Sequence, residues 1–159
     1  LGQKIPRRGI VSMTYCRIDL SKTNYQELEY YTVLNDTYYH QITDIYYQYC
    51  SYKKFTSVVP IFYEDITSPY TEILGYYHDN NLVAFSLIYL YNSSNCAAAE
   101  QFAWDYKTPN LRLGYRSLEN ECARYKRLGY DYLYIGEYDK YKESFDGFEI
   151  VGTLDDRNT

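Results

Sequence analysis

The spacing of apolar positions changes several times along the chain, and each change marks an element. Residues 14–20, TYCRIDL, alternate as a strand does and end at Ser21, which can cap a helix over 24–34. A longer helix follows over 36–52, where Tyr38, Ile42, Ile45, Tyr49 and Tyr52 recur at spacings of four, three, four and three. That stripe suits core packing or a homodimer contact better than a stacking platform. Residues 55–66 read as mostly extended, with Pro60 confining them to an edge or a break. Three strands come next, over 72–78, 82–91 and 97–106, joined by the turns Asp79-Asn80-Asn81 and 92–95, which argues for antiparallel hairpins. After Pro109 the period becomes helical again. Ser117 reads as the cap of a helix running to Leu128, with Leu118, Cys122 and Tyr125 on one face and Gly129 as a left-handed stop. Residues 130–135 then form a buried strand and 148–151 a short last one. The order places a strand–loop–helix–strand unit inside an otherwise antiparallel arrangement. It predicts a single α+β domain with a mixed, largely antiparallel central sheet and helices on both faces.

Composition sharpens this picture in two places. The 159 residues are 46% hydrophobic with a mean hydropathy of -0.54, because 24 of them are tyrosines carrying a hydroxyl on an apolar ring. No apolar run reaches the ~18 residues of a membrane span, and a chain so rich in β-formers is a poor candidate for disorder. Residues 1–12 differ from the rest: they hold three basic residues, no acidic one, and stop before Met13, the only methionine. They read as a leader or basic arm ahead of a domain over 13–159. The four cysteines, Cys16, Cys50, Cys96 and Cys122, show no paired spacing and only two histidines to join them. Free thiols in the cytoplasm, with no metal, are the expectation.

The charge is uneven. The net charge is -5, yet the segment 107–127 carries six basic and two acidic residues. A basic island in an acidic chain suits one phosphorylated ligand, since the remaining surface repels polyanions at large. The helix dipole explains Arg124, Lys126 and Arg127 at the helix end. It does not explain Arg112 and Arg116, which stand where a helix start disfavours cations.

The text of residues 109–149 bears on those arginines. It contains Arg112-Leu113-Gly114-Tyr115-Arg116-Ser117, then Leu128-Gly129-Tyr130-Asp131-Tyr132-Leu133-Tyr134-Ile135-Gly136, then Tyr141-Lys142-x-x-Phe145-x-x-x-Glu149. This order resembles the GNAT acyltransferase superfamily, and within it the C-terminal region of the arginyl- and leucyl-type aminoacyl-tRNA–protein transferases. Their pattern is S-L-G-x-Y-S, a helix, L-G-x-x-Y-x-Y-L-G-Y and Y-K-x-x-F-x-P-x-E. The likeness covers about 45 of the 159 residues, with Gly147 where the pattern has Pro. The cysteine-rich N-terminal region of the arginyl-transferases is missing. So is the usual acetyl-CoA loop Q/R-x-x-G-x-G/A, of which only Gly114 is present.

The resemblance implies transfer of an acyl or aminoacyl group from an aminoacyl-tRNA or an acetyl- or acyl-CoA to an amine of a protein or small molecule, with the acceptor end of a tRNA as a conceivable partner. The donor is already activated, so positioning, proton transfer and oxyanion stabilisation carry the chemistry. Arg112, Leu113, Gly114, Tyr115, Arg116 and Ser117 are the candidates for phosphate. Glu100, Glu137, Tyr138 and Tyr141 are the candidates for proton transfer. Trp104, Asp105, Tyr134 and Lys142 are the candidates for holding substrate. The alternatives are an acetyl-CoA-dependent N-acetyltransferase and an idle GNAT-like domain that binds a protein through its tyrosine-rich helices.

Overall fold

A computed structural model describes residues 12–155. The expected leader of residues 1–12 lies outside the described residues, except for Ser12, which opens the first strand. The strands are β1 (Ser12–Asp19), β2 (Tyr31–Leu34), β3 (Thr71–His78), β4 (Asn81–Tyr91), β5 (Cys96–Trp104), β6 (Tyr132–Glu137) and β7 (Phe148–Asp155). The α-helices are α1 (Tyr39–Tyr52), the single-turn α2 (Glu64–Thr67) and α3 (Leu113–Arg127). Seven strands form one sheet in the order β2-β3-β4-β5-β6-β1-β7. Every neighbouring pair is antiparallel except β5–β6, which is parallel and crosses over through α3. The first strand of the chain is thus inserted between two of the last.

Alternation along the central strands sends neighbouring residues to two different cores. Leu74, Ala84, Ile88, Ala97 and Leu133 face α3 and pack on Leu118, Cys122 and Tyr125. Ile73, Phe85, Leu87 and Ala103 face α1 and pack on Ile42, Tyr46 and Cys50. Central strands buried on both faces need continuous apolar runs, which is how 82–91 reads. All four cysteines are buried free thiols.

Two sequence expectations give way to tertiary partners. The helix expected over 24–34 does not form: a short 3₁₀ turn at Leu20–Lys22 is followed by irregular chain and then β2. The backbone N–H of Leu28 donates to the side chain of Asn120 at 2.7 Å, Glu27 pairs with Arg127, and Thr32 and Val33 join β3. The segment finds its partners in α3 and the sheet edge, and β-branched residues favour the edge. The helix expected from Ser117 starts a turn earlier, at Leu113, so Ser117 is a buried interior residue whose hydroxyl donates back to the Gly114 carbonyl. Gly129 does stop α3, at φ 93°. In α1 the buried face is Ile42, Tyr46 and Cys50, flanked by Tyr38, Ile45 and Tyr49. Tyr52 lies outside it, exposed and stacked on Tyr106 at 4.4 Å. Residues 55–66 form no strand.

Gly147 explains one departure from the aminoacyl-transferase pattern. Its φ is 77°, which a proline ring forbids, and its carbonyl accepts the Asp19 N–H at 2.8 Å. A Cβ built here meets the Asp19 carbonyl oxygen at 2.4 Å. Gly147→Ala therefore combines a left-handed backbone with a clash against β1. It should lower stability by about 2–3 kcal/mol, read as a Tm drop of ~5–10 °C in a thermal melt.

Candidate active site in the split between β5 and β6

The parallel pair β5–β6 runs for only three steps, Cys96↔Tyr132, Ala97↔Leu133 and Ala98↔Tyr134. Beyond them β5 carries one extra residue. Leu87 and Ile88 of β4 face Gln101 and Ala99, which leaves Glu100 without an opposite number, a β-bulge that bends the strand. On the other side Gly136 takes φ 79°. The strands diverge, and the carbonyls of Ile135 and Glu137 lie past the last paired step. Lys142 takes both, its Nζ donating to each at 2.7 Å. Desolvation lowers its pKa, opposed by Cys16 and by the charges of Asp139 and Glu137. One lysine thus does what a neighbouring strand would have done.

The split opens a cavity of about 280 Å³ on the α3 side, bordered by Gly114, Glu121, Ile135, Glu137, Tyr141 and Lys142. The first turn of α3 meets it at Gly114. Arg112 caps that turn in a left-handed conformation, φ 55°, and its carbonyl accepts from the amides of Tyr115 and Arg116. The amides of Leu113 and Gly114 donate to nothing among the described residues. A Cβ at Gly114 would meet no atom within 4 Å, so this glycine is not demanded by packing; it leaves bare backbone beside the cavity. Two free amides and the positive end of a fifteen-residue helix attract an anion.

The basic island divides into two groups. Arg124 makes a 2.9 Å ion pair with Glu72, Arg127 pairs with Glu27, and Lys126 donates to the Thr23 carbonyl. Those charges hold α3 to the sheet edge and to the 24–30 segment. Arg112 and Arg116 are exposed and make no ion pair among the described residues; Arg112 lies 5.5 Å from the Tyr115 ring centre.

Other expected residues scatter. Tyr141 borders the cavity and packs edge-on against Tyr115, which in turn stacks on Phe145. Burial raises the Tyr141 phenol, as do Asp139 and its neighbouring phenols, so it keeps its proton at neutral pH. Glu100 stands at the bulge, open to solvent, with its carboxyl raised by desolvation. Tyr134 faces the other side of the sheet, where its hydroxyl accepts from Arg17 at 3.2 Å. Trp104 and Asp105 lie at the far end of β5: Trp104 pairs with Ala84 and packs on the core, and Asp105 accepts the Lys107 amide in a turn. Neither borders the split. Tyr138 is exposed beside Phe148, also away from it.

Sequence reasoning passed over Glu121. It is fully buried on α3, where its Oε2 accepts from Tyr76 Oη at 2.6 Å and Ser86 Oγ at 3.0 Å. Asn120 in turn donates to Tyr76 Oη at 3.3 Å. Burial pushes the Glu121 carboxyl up to about 7, against the two hydrogen bonds that pull it down. The same burial, with Glu121 itself, holds the Tyr76 phenol well above its usual value. The only sequence signal was an acidic residue between Asn120 and Cys122 on the apolar face of α3.

This carboxyl makes stability depend on pH. In the folded chain its pKa is raised above that of an unfolded glutamate, so its contribution is greatest below the unfolded value and falls as pH climbs through the window from 4.5 to about 7. Glu121→Gln keeps an acceptor for Tyr76 and Ser86 and removes the ionisation. Between pH 6 and pH 8, urea unfolding should show the wild-type chain losing about 1 kcal/mol more than Glu121→Gln.

No family model and no curated protein matches the sequence. Solved structures do. A protein assigned to the GNAT acetyltransferases from Novosphingobium aromaticivorans matches with a TM-score of 0.66 at 15% identity, over 91% of this chain and 64% of its own. The C-terminal domain of a protein assigned as a lysylphosphatidylglycerol synthetase from Agrobacterium fabrum gives 0.60 at 10% identity, over 81% and 49%. A GCN5-related N-acetyltransferase from Kribbella flavida gives 0.57 at 10% identity, over 90% and 56%. The chain therefore spans from about half to under two thirds of each of these proteins. At such identities the likeness is one of fold, and the seven-stranded sheet split between β5 and β6 is the α+β fold of the GNAT acetyltransferases.

Proposed function

We propose that this chain transfers an acyl or aminoacyl group from an activated, phosphate-bearing donor to an amine. One observation carries the reading: the strand split and the bare start of α3 meet at Gly114, with two arginines on that turn that make no ion pair among the described residues. The donor's phosphate would lie on the amides of Leu113 and Gly114, with Arg112 and Arg116 as counter-charges. Its reactive carbonyl would enter the split, where β5 past Ala98 has no partner strand to fill that space.

The reaction takes two protons from the acceptor ammonium and supplies one to the leaving atom. The acceptor ammonium gives its first proton to Glu100, directly or through water, and the freed nitrogen attacks the carbonyl carbon. The C–S bond of a thioester, or the C–O bond of an ester, then breaks; Tyr141 protonates the leaving atom and is reprotonated by the second proton that the nitrogen sheds. The Lys142 ammonium beside the cavity stabilises the oxyanion between those steps. Of the carboxylates and phenols considered above, Glu137 borders the same cavity and is the second base.

The donor divides the reading. Tyr141 and Lys142 both border the cavity, which favours an aminoacyl ester of the kind their motif accompanies. The fold neighbours assigned as acetyltransferases favour acetyl-CoA. A thermal-shift series with acetyl-CoA, CoA and a non-hydrolysable aminoacyl-adenosine separates the two. No stabilisation by any of them supports the protein-binding alternative.

The phosphate placement has its own test. The Arg116 side chain is exposed and makes no hydrogen bond or ion pair among the described residues, so Arg116→Ala should leave the melting temperature unchanged. Affinity for the stabilising donor, measured by calorimetry at low salt, should fall about tenfold, ~1.4 kcal/mol. An unchanged affinity overturns the placement at α3.

A further inference from the structure

The segment joining α1 to α2 is apolar and faces outward. Residues 51–60 are exposed without a break, and Phe55, Val58, Val59 and, just beyond, Phe62 stand in water. This is not slack chain. Tyr46 Oη donates to the Val59 carbonyl at 2.5 Å and Tyr39 Oη to the Ile61 carbonyl at 3.1 Å, while the Phe62 N–H donates to Asp65 at 2.8 Å. Ile61 is drawn into the core under α1, 2% exposed, and Val59 and Phe62 on either side of it are turned out, at 61% and 56%. Two helix tyrosines and a carboxylate thus fix a backbone that presents apolar side chains to solvent, which costs free energy unless something covers them. The patch extends past the loop. Phe55 packs edge-on against Tyr49 with ring centres 6.1 Å apart, and it borders, with Val59, a cavity of about 320 Å³. Tyr52, at the end of α1, stacks flat on Tyr106, and both remain exposed.

The charge of the patch is opposite to that of the chain. From residue 45 to residue 63 there is no acidic residue, in a chain with 21 of them, and Lys53 and Lys54 are the only charges. Lys107 adds a third beside the Tyr52–Tyr106 stack, its Nζ 5.8 Å from the Tyr106 ring centre. All three are exposed, and none makes an ion pair among the described residues. Lys54 is left-handed, φ 57°, so that its N–H and that of Phe55 close the end of α1 on the Ser51 and Cys50 carbonyls. The helix end therefore sets where the lysine pair and Phe55 stand. Nearby carboxylates are engaged or peripheral. Asp36 accepts from Tyr63 Oη at 2.6 Å and Asp65 from the Phe62 amide, Glu64 follows the patch in α2, and Glu100 borders its cavity from β5.

Exposed valine and phenylalanine beside lysines suit one kind of surface. A nucleic acid would use the lysines and the rings but gain little from Val58 and Val59. An isologous contact with a second copy would bring like charges together. An anionic bilayer takes both groups at once, ammonium at the headgroups and apolar side chains at the acyl boundary. We infer that the 53–63 loop is a docking surface for an anionic lipid bilayer, with Lys53, Lys54 and Lys107 on the headgroups and Phe55, Val59 and Phe62 below them. This is a surface contact; no helix among the described residues is long and apolar enough to cross a membrane. The chain as a whole is acidic, so the same membrane repels its other faces and turns this one inward. The inference goes beyond the transferase reading and does not depend on it.

The test is co-sedimentation of the full chain with vesicles of phosphatidylcholine, alone or with about one third phosphatidylglycerol. The mixed vesicles should take up the chain at least about tenfold more strongly, and raised salt should cut that uptake. Val59→Ser with Phe62→Ser keeps every charge and should lower the partition by about tenfold or more. Lys53→Gln with Lys54→Asn, whose asparagine accepts the left-handed backbone, should lower it by about thirtyfold. Both double variants should melt at the wild-type temperature, since these side chains are exposed. No uptake, equal uptake by the two vesicle types, or uptake that either double variant retains in full overturns the inference. Two other occupants have their own signatures. A dimer in sedimentation that Val59→Ser with Phe62→Ser dissolves points to a second copy; single-stranded RNA binding that needs the lysines and ignores Val59 and Phe62 points to nucleic acid. Either one, with no uptake by the mixed vesicles, overturns the bilayer.

Discussion

An extra residue in β5 governs the rest of this structure. Strands β5 and β6 begin as an ordinary parallel pair, and had they continued, the middle of the sheet would be sealed by hydrogen bonds. The bulge at Glu100 bends β5, and pairing with β6 ends two residues before it, at Ala98 and Tyr134. A sheet opened in its interior leaves backbone carbonyls that must be satisfied or hydrated. Lys142 satisfies two of them from outside the sheet, and that arrangement also delivers a positive charge to the gap. The cavities on either face both open at this break.

Positive charge near the gap is scarce because most of it has other work. Arg124 and Arg127 are bound to Glu72 and Glu27, and Arg17 is bound to Glu149. These pairs position α3, β1 and β7 and leave none of those arginines free for a ligand. Among the described residues, the two arginines left over lie on the first turn of α3, where the dipole works against them. Glu121 shows the same tension from the opposite sign. Two hydroxyls bond to its carboxylate, yet full burial outweighs them, because a hydrogen bond contributes about 1–3 kcal/mol and desolvation of a charge costs more.

Much of the fold could be read along the chain. The hairpins 72–91 and 82–106, the helix ending at Gly129 and the strand after it all rest on local signals: turn residues, β-rich runs and a glycine stop. The 24–34 segment could not be read, because Asn120, Arg127 and strand β3, all distant in sequence, outweigh its weak helical spacing. The site was partly legible. Gly114, Glu100, Glu137, Tyr141 and Lys142 border the α3-side cavity: Gly114 from the start of α3, Glu137 from the end of β6, Glu100 from the bulge inside β5, and Tyr141 and Lys142 from the 3₁₀ turn after β6. Trp104, Asp105 and Tyr138 have suitable chemistry and stand near those strands in sequence, yet each lies elsewhere.

The sequence by itself determined the alternation of strands and helices, the mixed sheet and the concentration of basic residues around the third helix, since these depend on periodicity and composition within a window of a few turns. Only the tertiary structure decided which arginines remain unpaired, that Ser117 is buried instead of capping, and that Glu121 borders a cavity. Pairing, burial and cavity walls are set by residues far apart in the chain. No local pattern encodes which carboxylate a given arginine will meet, or where a bulge will separate neighbouring strands.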